Sequence, residues 1–432
     1  MNRKPFRLVM CTLFLIVMLA ACAKTTEIVP LPPPPTDTQV QAMSTLTQEQ
    51  SRAASSINEI SHAELEALVA LYNSTDGNNW TDHTNWWVTN TPSNWYGLTV
   101  SDGHIISIKL SENQLTGTIP LEIGNLIALE SLDFNSNEIS GEIPEEIASL
   151  TALEYLGLCC NKLTGGVPTW LENLIALREL ILSSNQLGGS IPPELGELTA
   201  LETLALGRNR LTGTIPPELG NLIALEILSV GHNQLTGNIP SVLSNLTSLE
   251  ILELETNEFI GGIPSWIGNL TALRGLMLDS NQLTGNIPIE LGNLTALTEI
   301  HLGDNQFTGN IPSELGNLPA LEWLNLGGNQ LSGSIPPELS NLKTTIRFGL
   351  ILNSNQLSGE IPQELGNLTN MYVLRIEGNP LLSGSIPLSF TNLTQLDQLY
   401  FFSTNLCEPP DPAFQAWKAT VLDYQGTEFI CP

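Results

Sequence analysis

Positive charge is scarce in this sequence of 432 residues, which has 15 Lys and Arg against 44 Asp and Glu and a formal net charge of −29. Charged residues of both signs make up only 14% of the chain, whereas about a quarter of the residues in a typical globular protein are charged. An acidic surface repels the phosphates of nucleic acids, so the composition argues against nucleic-acid binding. Hydrophobic residues at 42% are too many for a disordered acidic tail, so the chain can bury a large core.

The sequence also lacks the motifs of catalysis and of metal binding. Of its five histidines, only His232 and His301 lie in the regular part of the chain described below, and there is no Gly-x-Ser-x-Gly motif or phosphate loop. The loop with Asp76, Asn78 and Asp82 lacks the spacing of an EF-hand and is more simply a turn. We therefore predict a protein that is not an enzyme and that needs neither a cofactor nor a metal ion.

No apolar run is long enough to cross a bilayer as a helix. The first one, Leu8 to Leu19, follows three basic residues and has the length of the apolar part of a signal peptide. It ends in Leu19-Ala20-Ala21-Cys22, which resembles the lipobox of bacterial lipoproteins. In that family the cysteine is acylated and becomes the first residue of the mature protein. The alternative is an ordinary secretory signal with a chance cysteine.

The lipobox resemblance predicts a signal peptide at residues 1–21 and a lipid anchor on Cys22. Residue 23 is alanine and not aspartate, which by the family's sorting rule favours the outer membrane, so the expected location is the surface of a bacterial cell. Each acyl methylene buried in the bilayer contributes about 0.8 kcal/mol, which makes a multiply acylated cysteine a stable anchor. Residues 22–58 then form a tether, because the prolines from Pro30 to Pro35 favour an extended chain and the following Thr, Gln and Ser residues have little to bury.

A 24-residue repeat fills most of the remaining chain. An asparagine recurs every 24 residues from Asn113 to Asn329, and the series continues to Asn405 with spacings of 26, 24 and 26 residues. Each one lies in a frame such as Leu225-x-x-Leu228-x-Val230-x-x-Asn233-x-Leu235-x-Gly237-x-Ile239-Pro240. We predict that each unit is one coil of a solenoid, with a short strand whose leucines point inward and an asparagine that bonds the backbone of the turn. No coil buries its leucines alone, so stability comes from stacking.

This frame resembles the plant-type leucine-rich repeat, LxxLxLxxNxLxGxIP, over about residues 105–405. The resemblance implies an α/β solenoid, a right-handed superhelix of about 13 coils with a parallel sheet on its concave face. The open ends of such a stack need caps, which we place at residues 59–104 and 406–432.

In the N-terminal cap, Ser61-x-x-Glu64 is a capping box that opens an amphipathic helix. The inner face of this helix is predicted to carry Leu65, Leu68, Val69 and Tyr72. Five aromatic residues follow within 17 positions, and they suit a cover for the solenoid edge better than the alternative, an exposed sugar platform. They are Trp80, Trp86, Trp87, Trp95 and Tyr96.

In the C-terminal cap, Asp411-Pro412 can start a short helix. Cys407 and Cys431 bracket this helix, and a disulfide between them would contribute about 3 kcal/mol. The adjacent pair Cys159-Cys160 is left over, and a disulfide within it is possible but strained.

A ligand is expected to bind where residues vary within the fixed frame, at the outward positions of the strands. We expect the apolar side chains at these positions, such as Ile227 and Ile251, to be exposed. Together they combine apolar and aromatic anchors with charges, as interfaces do. The alternative is that they are tolerated surface residues left by duplication. The predicted ligand-binding residues are Tyr155, Glu179, Ile227, Ile251, Glu253, Glu255, Met277, Asp279, Glu299, His301 and Trp323.

These observations predict a lipid-anchored recognition or adhesion protein that binds a protein or a polysaccharide through the concave face. One alternative is an ice- or surface-binding protein, which needs a flat regular array. The column after the Gly of Gly-x-Ile-Pro is small and polar but is interrupted by Glu142 and Glu360. The other alternative is an adhesin that associates with itself.

Overall fold

A computed structural model describes residues 57–342 and 345–432. The predicted signal peptide, Cys22 and nearly all of the predicted tether lie outside the described residues. The described chain divides into two compact units, residues 57–189 with 205–210 and residues 190–204 with 211–432. In the described part, no helix has the length and hydropathy that crossing a bilayer requires.

The first unit begins with a helix and a two-stranded antiparallel hairpin, and it continues with coils whose main strands pair in parallel. Shorter outer strands and 3-10 helices complete each coil. The bounds are α1 His62–Ser74, β1 Leu98–Ser101, β2 His104–Lys109, β3 Thr116–Gly117, β4 Ser131–Asp133, β5 Glu138–Gly141, β6 Tyr155–Gly157, β7 Lys162–Leu163 and β8 Glu179–Ile181, with 3-10 helices Gly77–Asn79, Pro92–Asn94, Leu121–Asn125, Glu145–Ser149 and Thr169–Asn173.

Three strands contain residues of both units. They are β9 Gly188–Ser190, β10 Thr203–Ala205 and β11 Arg210–Gly213.

The second unit repeats the same coil. Its main strands, all parallel, are β12 Ile227–Ser229, β14 Ile251–Glu253, β16 Gly275–Met277, β18 Glu299–His301, β20 Trp323–Asn325, β22 Gly349–Ile351, β24 Val373–Arg375, β26 Gln398–Tyr400 and β28 Asp423–Gln425. The outer strands are β13 Gln234–Gly237, β15 Glu258–Gly261, β17 Gln282–Asn286, β19 Gln306–Thr308, β21 Ser332–Gly333, β23 Gln356–Gly359, β25 Leu381–Ser385 and β27 Asn405–Cys407. Helix α2 is Pro412–Lys418, and the 3-10 helices are Pro193–Glu197, Pro217–Asn221, Ser241–Asn245, Ser265–Asn269, Ile289–Asn293, Ser313–Asn317, Pro337–Leu342, Gln363–Asn367 and Leu388–Asn392.

Leucine stacking holds the coils of each unit together. In the second unit the middle residue of each main strand points inward and lies beside the middle residue of the next strand, as Leu228 lies beside Leu252 and Leu252 beside Leu276. All three side chains are fully buried, and each such burial stabilises the fold by about 1.5–3 kcal/mol. The predicted solenoid fold is confirmed in these coils.

The repeated asparagine bonds the turn after each strand. The Asn281 amide donates to the carbonyl oxygens of Leu254 (3.0 Å), Leu278 (3.1 Å) and Asp279 (3.2 Å), and its Oδ1 accepts from the backbone N–H of Phe259 at 3.0 Å. The amide therefore satisfies backbone groups of two successive coils, because Leu254 and Phe259 belong to the coil before its own. The sequence repeat predicted this role.

The N-terminal cap has the predicted capping box. Glu64 N–H donates to Ser61 Oγ at 3.2 Å, and Ser61 N–H donates to Glu64 Oε2 at 3.0 Å. Burial raises the pKa of Glu64, but the hydrogen bonds from Ser61 and Ile105 outweigh it and hold that pKa below its usual value. Val69, expected on the inner face of the helix, is only half-buried, and Leu71 is fully buried there instead.

The tryptophans of the N-terminal cap form a packed cluster. The rings of Trp80 and Trp86 are 4.9 Å apart, and those of Trp86 and Trp95 are 5.0 Å apart. All three side chains are buried. Buried ring faces cannot stack on a sugar, so this packing favours a hydrophobic cover over a sugar platform.

In the C-terminal cap, Asp411 Oδ1 accepts hydrogen bonds from the first backbone N–H groups of α2, those of Ala413 and Phe414, at 2.8 and 3.1 Å. The helix buries Phe414 and Trp417. A disulfide joins Cys407 to Cys431 around this helix. The cap is thus fixed by a helix start, apolar burial and a covalent bond.

Candidate ligand-binding surface

The main strands of the second unit present two columns of outward side chains. Strand register sets the first column by placing each residue beside its equivalent in the next coil, from Ile227 through Ile251, Gly275 and Glu299 to Trp323. The second column, set by the same register, consists of Ser229, Glu253, Met277, His301 and Asn325. Nine of the eleven residues predicted from the sequence belong to this unit. We call these residues, with Phe348, the strand-face patch: Ile227, Ile251, Glu253, Glu255, Met277, Asp279, Glu299, His301, Trp323 and Phe348.

The floor of the strand-face patch is apolar and closed. A Cβ placed on Gly275 would lie 3.1 Å from Met277 Cε and 3.8 Å from Ile251 Cγ2, so the thioether of Met277 lies over the glycine beside Ile251. Ile227 and Ile251 are only 5% and 8% exposed. The expectation that both isoleucines are exposed is therefore wrong. They pack against each other in register, and the glycine lets Met277 extend the same floor.

Aromatic rings form the exposed end of the patch. The imidazole of His301 lies 4.8 Å from the Trp323 ring in an edge-on arrangement, and the Trp323 ring lies 6.0 Å from the Phe348 ring. Trp323 is 36% exposed and Phe348 is 43% exposed. Interfaces are enriched in aromatic anchors of this kind.

Sequence reasoning missed Phe348, because it considered only the strand positions and this residue directly precedes β22. A signal was present. Phe348 lies in the first coil whose asparagine spacing changes, between Asn329 and Asn355.

Carboxylates surround the floor. Glu299 Oε2 lies 3.5 Å from His301 Nε2, and Glu255 Oε1 lies 3.7 Å from His232 Nε2. Burial raises the pKa of Asp279, nearby His301 opposes the shift and Asp304 adds to it. The four carboxylates of the patch outnumber its one histidine, so the patch is negatively charged at neutral pH, which complements a basic partner.

The remaining two predicted residues, Tyr155 and Glu179, belong to the first unit, where they are register neighbours on β6 and β8. The hydroxyl of Tyr155 accepts from Asn135 Nδ2 at 2.8 Å, and burial raises its pKa. Tyr155 and Glu179 are therefore not included in the strand-face patch, which contains residues of the second unit alone.

Cys159 is buried, and its Sγ lies 2.7 Å from Cys160 Sγ. Burial, with a smaller effect of Asp133, raises the pKa of the Cys159 thiol to about 12. A thiol with so high a pKa is a poor nucleophile, because the thiolate is the reactive form. Within residues 57–342 and 345–432, no three His, Cys, Asp or Glu side chains are placed to hold a metal ion.

Two repeat models match the chain. One, described as leucine rich repeat, matches residues 151–211 and 271–331. The other, with the same description, matches residues 104–126, 128–150, 224–246, 248–270 and 349–368. The chain belongs to the leucine-rich repeat family. No curated protein matches it.

Solved structures agree with this leucine-rich repeat assignment. The crystal structure of PEPR1-AtPEP1 is 32% identical with a TM-score of 0.70, and the alignment covers 82% of this chain and 54% of that one. The plant peptide hormone receptor RGFR1 in complex with RGF2 is 32% identical with a TM-score of 0.54, and the alignment covers 73% of this chain and 59% of that one. A plant ice-binding protein is 31% identical with a TM-score of 0.60, and the alignment covers 70% of this chain and 97% of that one. The chain thus spans just over half of the length of the first two.

Proposed function

We propose that this leucine-rich repeat protein is a recognition protein that binds a basic peptide or protein segment through the strand-face patch. The observation that carries the proposal is the combination of a closed apolar floor with exposed Trp323 and Phe348. These residues occupy variable positions of a fixed repeat and have no core to fill. The receptor similarity reported above supports a binding role for such a scaffold.

The expected ligand follows from the chemistry of the patch. Its floor accepts one or two apolar side chains, and its aromatic end can stack on an arginine or an aromatic residue. The surrounding carboxylates favour lysine and arginine on the ligand and slow the approach of acidic chains. A short basic segment with apolar residues fits these requirements.

Selection from a random peptide display library tests this proposal. The full chain is expected to enrich peptides that combine basic and apolar residues, and a Trp323→Ser/Met277→Ser variant is expected not to retain them. Trp266→Ser/Ile289→Ser is the matched control, since Trp266 and Ile289 are part of the outer 3-10 helices of the same unit. Peptides that bind all three proteins equally would contradict the proposal.

We further propose that the protein is exported and anchored by a lipid on Cys22 at a bacterial cell surface, where the patch would meet its ligand. The lipobox resemblance supports this. Mass spectrometry of the mature N-terminus gives the test. An acylated Cys22, lost in Cys22→Ser, is expected, and an unmodified cysteine or cleavage elsewhere would contradict the anchor.

A second candidate function is binding to ice or another regular surface, which the likeness to a plant ice-binding protein favours. The outer strands of the second unit carry exposed Thr284 and Thr308 next to exposed Asn286 and Asn310. One residue argues against this function. The position of β15 that is equivalent to Thr284 holds Ile260, which interrupts the column of threonine hydroxyl groups.

Thermal hysteresis of the full chain distinguishes the two functions. Ice binding requires hysteresis that is lost in Thr284→Tyr/Thr308→Tyr and kept in Thr295→Tyr, a threonine of another face. Absence of hysteresis in the wild type excludes this candidate.

A further inference from the structure

A polar groove of about 570 Å³ lies on the second unit, beside the N-terminal ends of strands β22, β24 and β26. Its volume is within the range of small-ligand sites. The lining side chains offer hydroxyl, amide, carboxylate, guanidinium and phenol groups and include no aliphatic residue. The groove shares no residue with the strand-face patch.

The groove lies where the repeat departs from its own pattern. Backbone hydrogen bonds from Arg347 N–H to Glu322 O (3.0 Å) and from Tyr372 N–H to Arg347 O (2.9 Å) align these residues in one column. In earlier coils the residue two positions before the column residue is alanine. Ala320, two residues before Glu322, and Ala296, its equivalent one coil earlier, are examples.

In the coils of the groove, Asn370 and Gln395 replace these alanines, and both line the groove. Most coils keep the alanine, but the coil between Ala320 and Asn370 carries Thr345, which also lines the groove. The exchange to amides at this place therefore gives a second reason to regard the groove as a built site.

Arg347 is the charged centre of the groove. Its guanidinium lies 5.7 Å from the centre of the Phe348 ring and 5.6 Å from that of the Tyr372 ring. The nearby Arg375 is paired with Glu377, whereas Arg347 forms no ion pair within the described residues. Its side chain is exposed, so a guanidinium oriented by two rings is accessible to an anion.

We infer that this groove binds an acidic oligosaccharide, a chain of uronic acid residues. The guanidinium of Arg347 can hold a sugar carboxylate through two parallel hydrogen bonds. The Tyr372 ring can pack against the C–H face of a sugar ring, while Asn370, Gln395 and Glu322 have the donors and acceptors that sugar hydroxyls need. A peptide would lack apolar contacts here, since no aliphatic side chain lines the groove.

Titration of the full chain with two matched sugars tests the inference. Short oligomers of β-linked mannuronic acid and of β-linked mannose have the same ring and linkage and differ in the carboxylate. Physiological salt screens the long-range repulsion from the acidic protein. The mannuronate oligomer is expected to bind at least about tenfold more tightly, the effect of a hydrogen bond between charged groups.

Variants connect this binding to the groove. Arg347→Met is expected to lower the affinity for mannuronate to that for mannose, whereas Arg274→Met, in the same column three coils earlier, leaves it unchanged. Asn370→Ala/Gln395→Ala restores the alanine that most coils carry at this position, and it is expected to weaken the binding of both sugars. Because these positions are exposed, the variants should fold.

Several results would overturn the inference. They are no binding of either oligomer, equal affinity for both, or an equal loss in Arg274→Met, which would indicate charge attraction without a site. Display-selected peptides that need Arg347, with no sugar binding, would assign the groove to a peptide instead. Loss of peptide binding in the Trp323→Ser/Met277→Ser variant leaves the sugar result unaffected, so the two proposals fail separately.

Discussion

At the scale of the residue, Asn281 shows how one side chain organises a coil. Its amide donates to three carbonyl oxygens and accepts one backbone N–H, all in the buried turn after β16. A buried backbone group without a partner costs about 1–3 kcal/mol. The recurrence of asparagine alone was sufficient to predict this role, because few other side chains combine two donors with an acceptor at that reach.

We therefore expect Asn281→Ala to lower the free energy of unfolding by about 3 kcal/mol or more, since it leaves several buried groups unsatisfied. Chemical denaturation followed by circular dichroism measures this. Asn286→Ala is the matched control, because Asn286 is exposed on an outer strand. A similar loss of unfolding free energy in both variants would contradict the hydrogen-bonding role of the repeated asparagines.

The pH dependence of stability is the second residue-scale prediction. Burial raises the pKa of Asp279, so the folded state holds this proton more tightly than the unfolded state does. The contribution of Asp279 to stability then falls as pH rises from the ordinary aspartate value through the raised folded value. Asp279→Asn is expected to be more stable than wild type at neutral pH, with the advantage shrinking in acid.

Urea denaturation at several pH values checks this prediction. Asp397→Asn is the control, because Asp397 is exposed. An Asp279→Asn variant that gains stability in acid and loses it at neutral pH would show that the carboxylate is stabilised in the fold.

Exposure was the property that the sequence predicted least well. Ile227 and Ile251 alternate with inward leucines, so the pattern assigned them to solvent, yet both are buried. Whether an outward residue is covered depends on its neighbours in the next coils. Here Gly275 leaves room for Met277 to lie beside Ile251, a relation that appears only once the strands are in register.

At the scale of the element, strands and turns were predictable because each coil repeats one frame. The position and depth of the groove were not. The asparagine spacing of 26 residues between Asn329 and Asn355 indicated an insertion, but not that the side chains of Arg347 and Tyr372 would meet beside it. Their approach depends on the stacking of two coils, in which Tyr372 N–H donates to the carbonyl oxygen of Arg347.

The C-terminal cap carries the element-scale prediction. Its disulfide closes a loop of 24 residues, which is expected to stabilise the cap by about 3 kcal/mol. In Cys407→Ser/Cys431→Ser, hydrogen exchange of α2 should accelerate while that of strands β12 to β20 stays unchanged, because repeat arrays open locally. Unchanged exchange in α2 would show that apolar burial of Phe414 and Trp417 suffices.

At the scale of the whole molecule, the net charge of −29 has two sources. Much of it is copied with the repeat, as in the glutamate of the 3-10 helices Pro217–Asn221 and Ser313–Asn317, and serves solubility. The carboxylates next to the apolar floor, such as Glu253 and Asp279, and Glu322 in the groove are the candidates for ligand contacts. Composition predicted the acidity, but strand register was needed to separate these two sources.

The acidic patch makes association sensitive to salt. Binding of a basic peptide is expected to slow as ionic strength rises, because long-range attraction steers the encounter. Stopped-flow association rates measure this effect. An association rate that is independent of salt would show that the carboxylates of the patch do not steer the ligand.

Calorimetric titration of a display-selected peptide into the full chain and its two double variants tests the central claim most directly. The strand-face patch predicts that Trp323→Ser/Met277→Ser weakens binding by at least about 30-fold, the effect of losing an interface anchor worth about 2 kcal/mol. Trp266→Ser/Ile289→Ser should bind as the wild type does. Equal affinity in all three folded proteins would contradict the assignment of ligand binding to this face.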